Sequence, residues 1–558
     1  MRVWLRVVAP FLLLAAQLAL AAEAHKPPVA AIASAYPLAS EAGFEILAAG
    51  GNAFDAAVAV SAALEVVEPR GSGLGGGGFY LLHRASDGFE VFVDAREVAP
   101  AASTRDMFLD SVSKPVPGRS TETALAAGIP GEAAAFAHLA SKYGRLPLKR
   151  SMQPAIRLAR DGFSVYPRLV EDITRKKEAL RRSADGQRIF LVHGAPPTVG
   201  HILKQPDLAR SLALVAEKGA EGFYHGGFAD KLVAGVRKLG GNWSREDLAD
   251  YRLIEREPLR GTYHGAHIVT APPPSSGGIA VLNALNILAG YQLERLDGAA
   301  RKHLLLESLR RVHRDRAEYL GDPAFVDIPL ERLLSQDYAA GQRVSIRIDR
   351  ATPSDLLPGY IGDSSSGTST THFAILDREG NRVAGTITLN AWFGTGLVIP
   401  GTGIVLNNQM DDFAIKPGEP NIYKLVGAEA NSVAPGKRPL SSMTPTFVES
   451  EKGVAILGTP GGSFIPSMIL LGTLTWLDGA DANGIVKAPR VHHQYQPDVV
   501  FAERSLDPQE RKSLEERGHQ IRDWPPTIGN MQIITWDYAS QKVVAASDPR
   551  GAGTGLVR

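Results

Sequence analysis

Between residues 40 and 67 apolar side chains recur at helical spacing in two stretches separated by Gly50-Gly51-Asn52. That pattern predicts a helix, a glycine stop and a second helix, both of them core elements. The same spacing predicts further helices around 133–142, 152–161, 207–217 and 278–288, with short strands between them. Beyond residue 370 the period changes. Residues 371–377 and 383–389 are rich in β-branched side chains and are joined through Arg378-Glu379-Gly380-Asn381, which predicts a hairpin. Residues 453–457, 532–536 and 542–546 add strands, and 467–477 a helix. No internal repeat is evident.

Strands grouped together with helices to either side predict an α+β fold of stacked sheets between helical layers, not a series of βαβ units. At 558 residues the chain exceeds one simple core, so two to four lobes or one large layered body are expected. Arg2 and Arg6 precede an apolar run over 7–20, and small residues follow at Ala19-Leu20-Ala21 and Ala22-Glu23-Ala24. This is the layout of a signal peptide over 1–24. The run is shorter than the roughly 20 apolar residues of a membrane-spanning helix. An exported, periplasmic protein without stable membrane insertion is expected.

Composition narrows the chemistry. The 60 basic and 59 acidic residues leave a formal charge of +1, which provides no global field for nucleic acid or anionic lipid and favours a small-molecule partner. The absence of cysteine excludes disulfides, thiolate metal sites and a cysteine nucleophile.

Residues 351–369 form a polar linker that ends in Ser369 and runs through Thr370-Thr371-His372 directly into a strand. A chain cut before Thr370 would carry a free α-amino group there. With a pKa of about 7.7 to 8.0, that amine can act as base for the hydroxyl of its own residue. Two other signals lead away from function. Gly71-Ser72-Gly73-Leu74-Gly75-Gly76 fits the spacing of a dinucleotide loop but follows a helix and precedes the apolar run at Phe79, so close core packing is expected. His492-His493 lacks an acidic partner set, and adjacent side chains rarely converge on one ion, so a structural role is expected.

Five motifs of the second half, in order, are Thr370-Thr371-His372, Thr388-Leu389-Asn390, Asn407-Asn408-Gln409-Met410-Asp411-Asp412-Phe413, Pro439-Leu440-Ser441-Ser442-Met443 and Pro460-Gly461-Gly462-Ser463. The first half contributes Gly75-Gly76-Gly77-Gly78-Phe79, Ala95-Arg96-Glu97, Thr104-Arg105-Asp106-Met107 and Pro272-Pro273-Pro274-Ser275-Ser276-Gly277-Gly278. Together they resemble the γ-glutamyltransferase family of N-terminal nucleophile hydrolases over nearly the whole mature chain.

The resemblance implies a precursor that cuts itself between Ser369 and Thr370. Residues 25–369 would form a large subunit and 370–558 a small catalytic one, paired as a heterodimer in an αββα four-layer fold. Thr370 would be the nucleophile and carry a γ-glutamyl ester, with Thr388 positioning it and the Gly461 and Gly462 N–H groups stabilising the oxyanion. Arg96, Ser441 and Ser442 would take the donor's α-carboxylate. Asp412, Asn390 and Gln409 would take its α-ammonium, beneath a lid loop over 417–435 that carries Tyr423. Glutathione and other γ-glutamyl compounds are the implied donors, and water, amino acids or peptides the acceptors. No cofactor or metal is implied.

Three alternatives accompany this reading. A cephalosporin or glutaryl acylase would share Thr370 but recognise a donor without the α-ammonium. An exported γ-glutamyl-binding protein would never cut itself. A serine hydrolase would use Ser441 or Ser463, although no G-x-S-x-G elbow is present. Ala391-Trp392 departs from the small polar residues common in the family and bears on the acceptor side.

Overall fold

The computed structural model describes residues 26–357, 370–525 and 528–558. The expected signal segment, 1–24, and Ser369 lie outside the described residues.

The predicted break at Gly50-Gly51-Asn52 separates the Pro37–Ala48 and Ala53–Val67 helices. Gly50 takes a positive φ of 91°. Asn52 then caps the second helix, accepting from the Phe54 and Asp55 N–H groups while the Asp55 carboxylate accepts from the Asn52 N–H. Such a reciprocal box satisfies donors that a helix start leaves open. Every residue from Ala53 to Val67 is buried, Asp55, Ser61 and Glu65 among them, as expected of a helix that is apolar on most of its circumference.

Two antiparallel sheets carry the fold. The larger has seven strands, in spatial order Thr554–Val557, Ala31–Ser34, Thr371–Leu376, Arg382–Thr388, Gly77–Arg84, Phe89–Ala95 and Ile254–Arg256. The other has six, in the order Val543–Ser547, Gln532–Asp537, Gly453–Leu457, Thr446–Ser450, Ala266–Thr270 and Leu259–Tyr263. In the larger sheet, strands from before residue 358 and from residue 370 onward interleave, and in the smaller sheet the two groups meet where Thr446–Ser450 pairs with Ala266–Thr270.

The two-residue period of a strand divides the larger sheet's side chains between two cores. Phe373 and Ile375 join the core shared with the Pro37–Ala48 and Ala53–Val67 helices. Ala374 and Leu376 join a second core with Phe447, Val454 and Ile456 of the other sheet. That second core continues into the Gly277–Leu288, Gly298–Tyr319 and Ile465–Leu477 helices. Sheets and helices thus share these cores in a mixed α/β body, and the Thr371–Leu376 strand is buried on both faces.

The glycine run pins this arrangement. A Cβ on Gly75 would lie 2.0 Å from the Val405 carbonyl oxygen, and one on Gly76 2.0 Å from that of Thr388. Backbone cannot yield to such an approach, so these glycines serve packing of the segment that enters the Gly77–Arg84 strand. The nucleotide-loop spacing has no preceding strand or following helix here.

Candidate active site

Hairpin register builds the first contact. Thr371 pairs with Ile387, so Thr370, one residue before the strand, faces Thr388. The two hydroxyls lie 3.1 Å apart, and the Thr388 oxygen also accepts from the Asn390 N–H at 2.8 Å. Thr370 is buried, with φ of 131°. Gly71 backs it closely, since a Cβ there would sit 3.3 Å from the Thr370 carbonyl oxygen.

A small cavity opens beside Thr370. Its wall includes Thr388, Asn390, Gln409, Asp412, Tyr423, Ser441, Ser442 and Gly462, together with Arg96. All sequence-predicted site residues except Ser369 and Gly461 therefore line one cavity. Gly461 adjoins it through Gly462 and takes a φ of 143°. Gly462, with φ of 56°, has no room for a side chain, because a Cβ would lie 2.4 Å from the Tyr423 ring. The two glycines open a helical turn that leads into the Ile465–Leu477 helix. The N–H groups at such a start have no acceptor within the helix, and its dipole adds partial positive charge.

Arg96 follows the Phe89–Ala95 strand and is fully buried. Its guanidinium donates to the Pro439 and Leu440 carbonyls at 3.1 and 3.2 Å and to the Asp412 carboxylate at 2.5 Å. The two groups expected at opposite poles of the donor thus bond each other. Gln409 Nε2 also donates to Asp412, at 2.7 Å. Asn390 Nδ2 donates to the Asn408 carbonyl. Ser441 Oγ accepts from the Met443 N–H at 3.1 Å.

The loop over 417–435 reaches the cavity through Tyr423, whose hydroxyl donates to the Asn390 carbonyl at 2.6 Å. Its neighbours are tied down as well: the Ile422 N–H donates to Asp411, and the Ala428 N–H to the Ala317 carbonyl. Burial, reinforced by neighbouring Asp412, pushes the Asp411 carboxyl up to about 7, despite donors from Ile422 and Ser120 that favour its charged form.

This displacement has a stability consequence. Below about pH 4 both folded and unfolded chains hold the Asp411 proton, and the stabilising contribution is complete. As pH rises toward 7 the unfolded chain releases it first, so the contribution is lost, on the order of 4 kcal/mol. The melting temperature of Asp411→Asn should therefore fall less between pH 4 and 7 than that of the wild type. Parallel melting curves would contradict a proton held at Asp411.

The serine alternative finds no support in the geometry. Ser463 donates to Gln494 Oε1 at 2.7 Å, and Ser441 accepts from backbone. The one Ser–His contact near this helix, Ser467 with His492 Nδ1 at 2.6 Å, is sealed in the core. His492 stacks on Phe464, and burial lowers its pKa to about 3. His493 instead contacts Asp498. Among the described residues no group of three or more His, Asp or Glu is placed to hold a metal ion.

Sequence reasoning missed Arg316, Leu425, Leu440, Met443 and Ile465 on the cavity wall. Leu440 and Met443 stood within a quoted motif. Arg316 lies near the end of the Gly298–Tyr319 helix, where Glu307, Arg310, Arg311, His313, Asp315 and Arg316 are all buried. A charged run on a helix ordinarily marks a solvated face, so periodicity gives no sign of that burial.

Residues 39–557 match the family model described as Gamma-glutamyltranspeptidase. The chain belongs to that family. It is 42% identical to the glutathione hydrolase proenzyme of Escherichia coli (strain K12), over 93% of this chain and 90% of the relative. The solved cephalosporin acylase from Bacillus halodurans is 29% identical with a TM-score of 0.84, covering 95% of this chain and 96% of its own. The Helicobacter pylori gamma-glutamyltranspeptidase structure is 36% identical with a TM-score of 0.57, over 58% of this chain and 94% of that one. These neighbours are family members of the N-terminal nucleophile hydrolase type, consistent with the mixed α/β body. No helix among the described residues is long and apolar enough to cross a membrane.

Proposed function

We propose that this chain is a self-processing γ-glutamyltransferase and glutathione hydrolase whose nucleophile is Thr370. The observation that carries the proposal is the convergence on one cavity of the Thr370 hydroxyl, the helix-start glycine Gly462, and both an arginine and an aspartate. A γ-glutamyl group is a zwitterion at one end and an amide at the other, so it matches both the charged pair and the hydroxyl.

Cleavage before Thr370 frees the amine that takes the hydroxyl proton. The oxygen then adds to the γ-carbonyl, the oxyanion rests on the Gly461 and Gly462 N–H groups, and the amide nitrogen leaves with a proton. Water or a second amine resolves the ester. Thr388 aligns the hydroxyl, while Ser441 and Ser442 hold the α-carboxylate with Arg96. Asn390 and Gln409 support Asp412 at the α-ammonium, and Tyr423 closes the cavity from the loop.

In the same reading residues 1–24 are removed on export to the periplasm, and 25–369 and 370–558 persist as a heterodimer with the αββα four-layer architecture. Support for persistence comes from the sheets: strands from the two segments pair directly at several ladders, and the cut ends none of them. The acylase reading shares this fold and nucleophile, but Asp412 on the cavity wall favours a donor bearing an ammonium.

The test is the intact mass of denatured protein together with turnover of γ-glutamyl-p-nitroanilide. Two fragments meeting at Ser369 and Thr370, and release of p-nitroaniline, are expected. One uncut chain that binds γ-glutamyl compounds without turnover would instead identify a binding protein.

A further inference from the structure

Arg96 is the cation that motif position assigns to the donor's α-carboxylate, yet most of its hydrogen-bonding capacity is committed within the protein. Nε and one terminal nitrogen serve two backbone carbonyls and Asp412, and the other terminal nitrogen lies 3.7 Å from Glu97. A second guanidinium on the same cavity wall is in the opposite condition. Arg316 is 5% exposed, and its Nε has no hydrogen-bond partner. The side-chain hydrogen bond it makes among the described residues is a long one, 3.4 Å, from a terminal nitrogen to the Val426 carbonyl in the 417–435 loop. No carboxylate among the described residues comes within ion-pair distance of it.

A desolvated cation without a counter-ion is costly, and an anion delivered to it offsets that cost. The cavity confines which anion that can be. Arg316 shares the wall with Ser441 and Ser442, two hydroxyl-bearing residues, and with Asp412, which repels an anion at its own end. Burial lowers the Arg316 pKa to about 10, with Asp412 opposing, which leaves it charged at neutral pH.

We infer that Arg316 is a second carboxylate-binding residue of this site, which takes the donor's α-carboxylate together with Ser441 and Ser442. The guanidinium fork can then grip the carboxylate alongside Arg96, whose bond to Asp412 need not break. This division explains how an arginine and an aspartate already bonded to each other remain in place when a zwitterion enters. The inference rests on the γ-glutamyl reading of the same cavity.

The measurement is the ratio of kcat/KM for γ-glutamyl-p-nitroanilide to that for 4-aminobutyryl-p-nitroanilide, which differs only in lacking the α-carboxylate. A ratio cancels any change in the folded or processed fraction. The wild type should prefer the carboxylate-bearing donor by roughly a hundredfold, as a charged hydrogen-bonded contact implies. Arg316→Met should reduce that preference about tenfold or more, chiefly through KM for the γ-glutamyl donor. Arg316→Lys, which keeps the charge but not the fork, should fall between. A preference unchanged in Arg316→Met overturns the assignment. Should that variant not fold, an unchanged preference in Arg316→Lys overturns it equally. A wild type indifferent to the carboxylate would sink the γ-glutamyl reading itself.

Discussion

Purified Thr370→Ala should run as one uncut polypeptide, and its γ-glutamyl transfer should fall by roughly four orders of magnitude or more, the scale on which loss of a covalent nucleophile registers. One residue accounts for both losses. In the proposed reading its hydroxyl attacks the peptide bond before it in the precursor, and the same oxygen attacks the donor amide in the processed protein. The surroundings do not require the methyl-bearing alcohol for folding. Thr370 precedes the Thr371–Leu376 strand, and among the described residues its side chain bonds the Thr388 hydroxyl. Thr370→Ala should therefore melt close to the wild type, and Thr370→Ser, which keeps an oxygen, should still be cut. Intact mass and thermal melting check each part. Normal cutting of Thr370→Ala would remove Thr370 from the chemistry.

Asp412→Asn should be cut as the wild type is, yet lose about 10²- to 10³-fold in kcat/KM for γ-glutamyl-p-nitroanilide. Losing one member of a buried charged hydrogen-bonded pair has effects of that size. Asparagine preserves the shape and an oxygen for Gln409 Nε2, so the loss isolates the negative charge. The companion donor is glutaryl-p-nitroanilide, which lacks the α-ammonium. Its turnover should change little, because a neutral carbon at that position never used the charge. The selectivity between the two donors then collapses, and kinetics on the pair measure it directly. Equal losses on both would assign Asp412 to holding Arg96 in place, and a wild type that prefers the glutaryl donor would favour the acylase alternative.

Much of the fold was legible locally. The helix, glycine stop and second helix over 40–67, the hairpin after Thr370, and the late strands all appear within a residue or a few of their expected bounds. Each carries strong local chemistry, a capping asparagine or a tight polar turn, that leaves few alternatives. The hairpin even contains the Thr370–Thr388 contact implicitly, because turn length sets register and register sets which residues face each other. The glycine run was legible as packing for a similar reason: what precedes and follows it does not suit a nucleotide loop.

Other features had no local signature. Arg316 reads as one more charge on a helix of alternating acids and bases, and only the packing of that helix beside the second sheet turns it inward. The bond between Arg96 and Asp412 spans more than three hundred residues and joins a strand end to a 3-10 turn. No periodicity reports such a pairing, since it depends on how sheets and loops close around one cavity.

The sequence alone therefore determined the elements, the candidate nucleophile and the identities of most cavity residues, because helix caps, turn chemistry and motif order act over a few residues at a time. Only the tertiary structure decided which charged groups share the cavity and which already have partners, because burial and ion pairing are set by contacts between segments far apart in the chain.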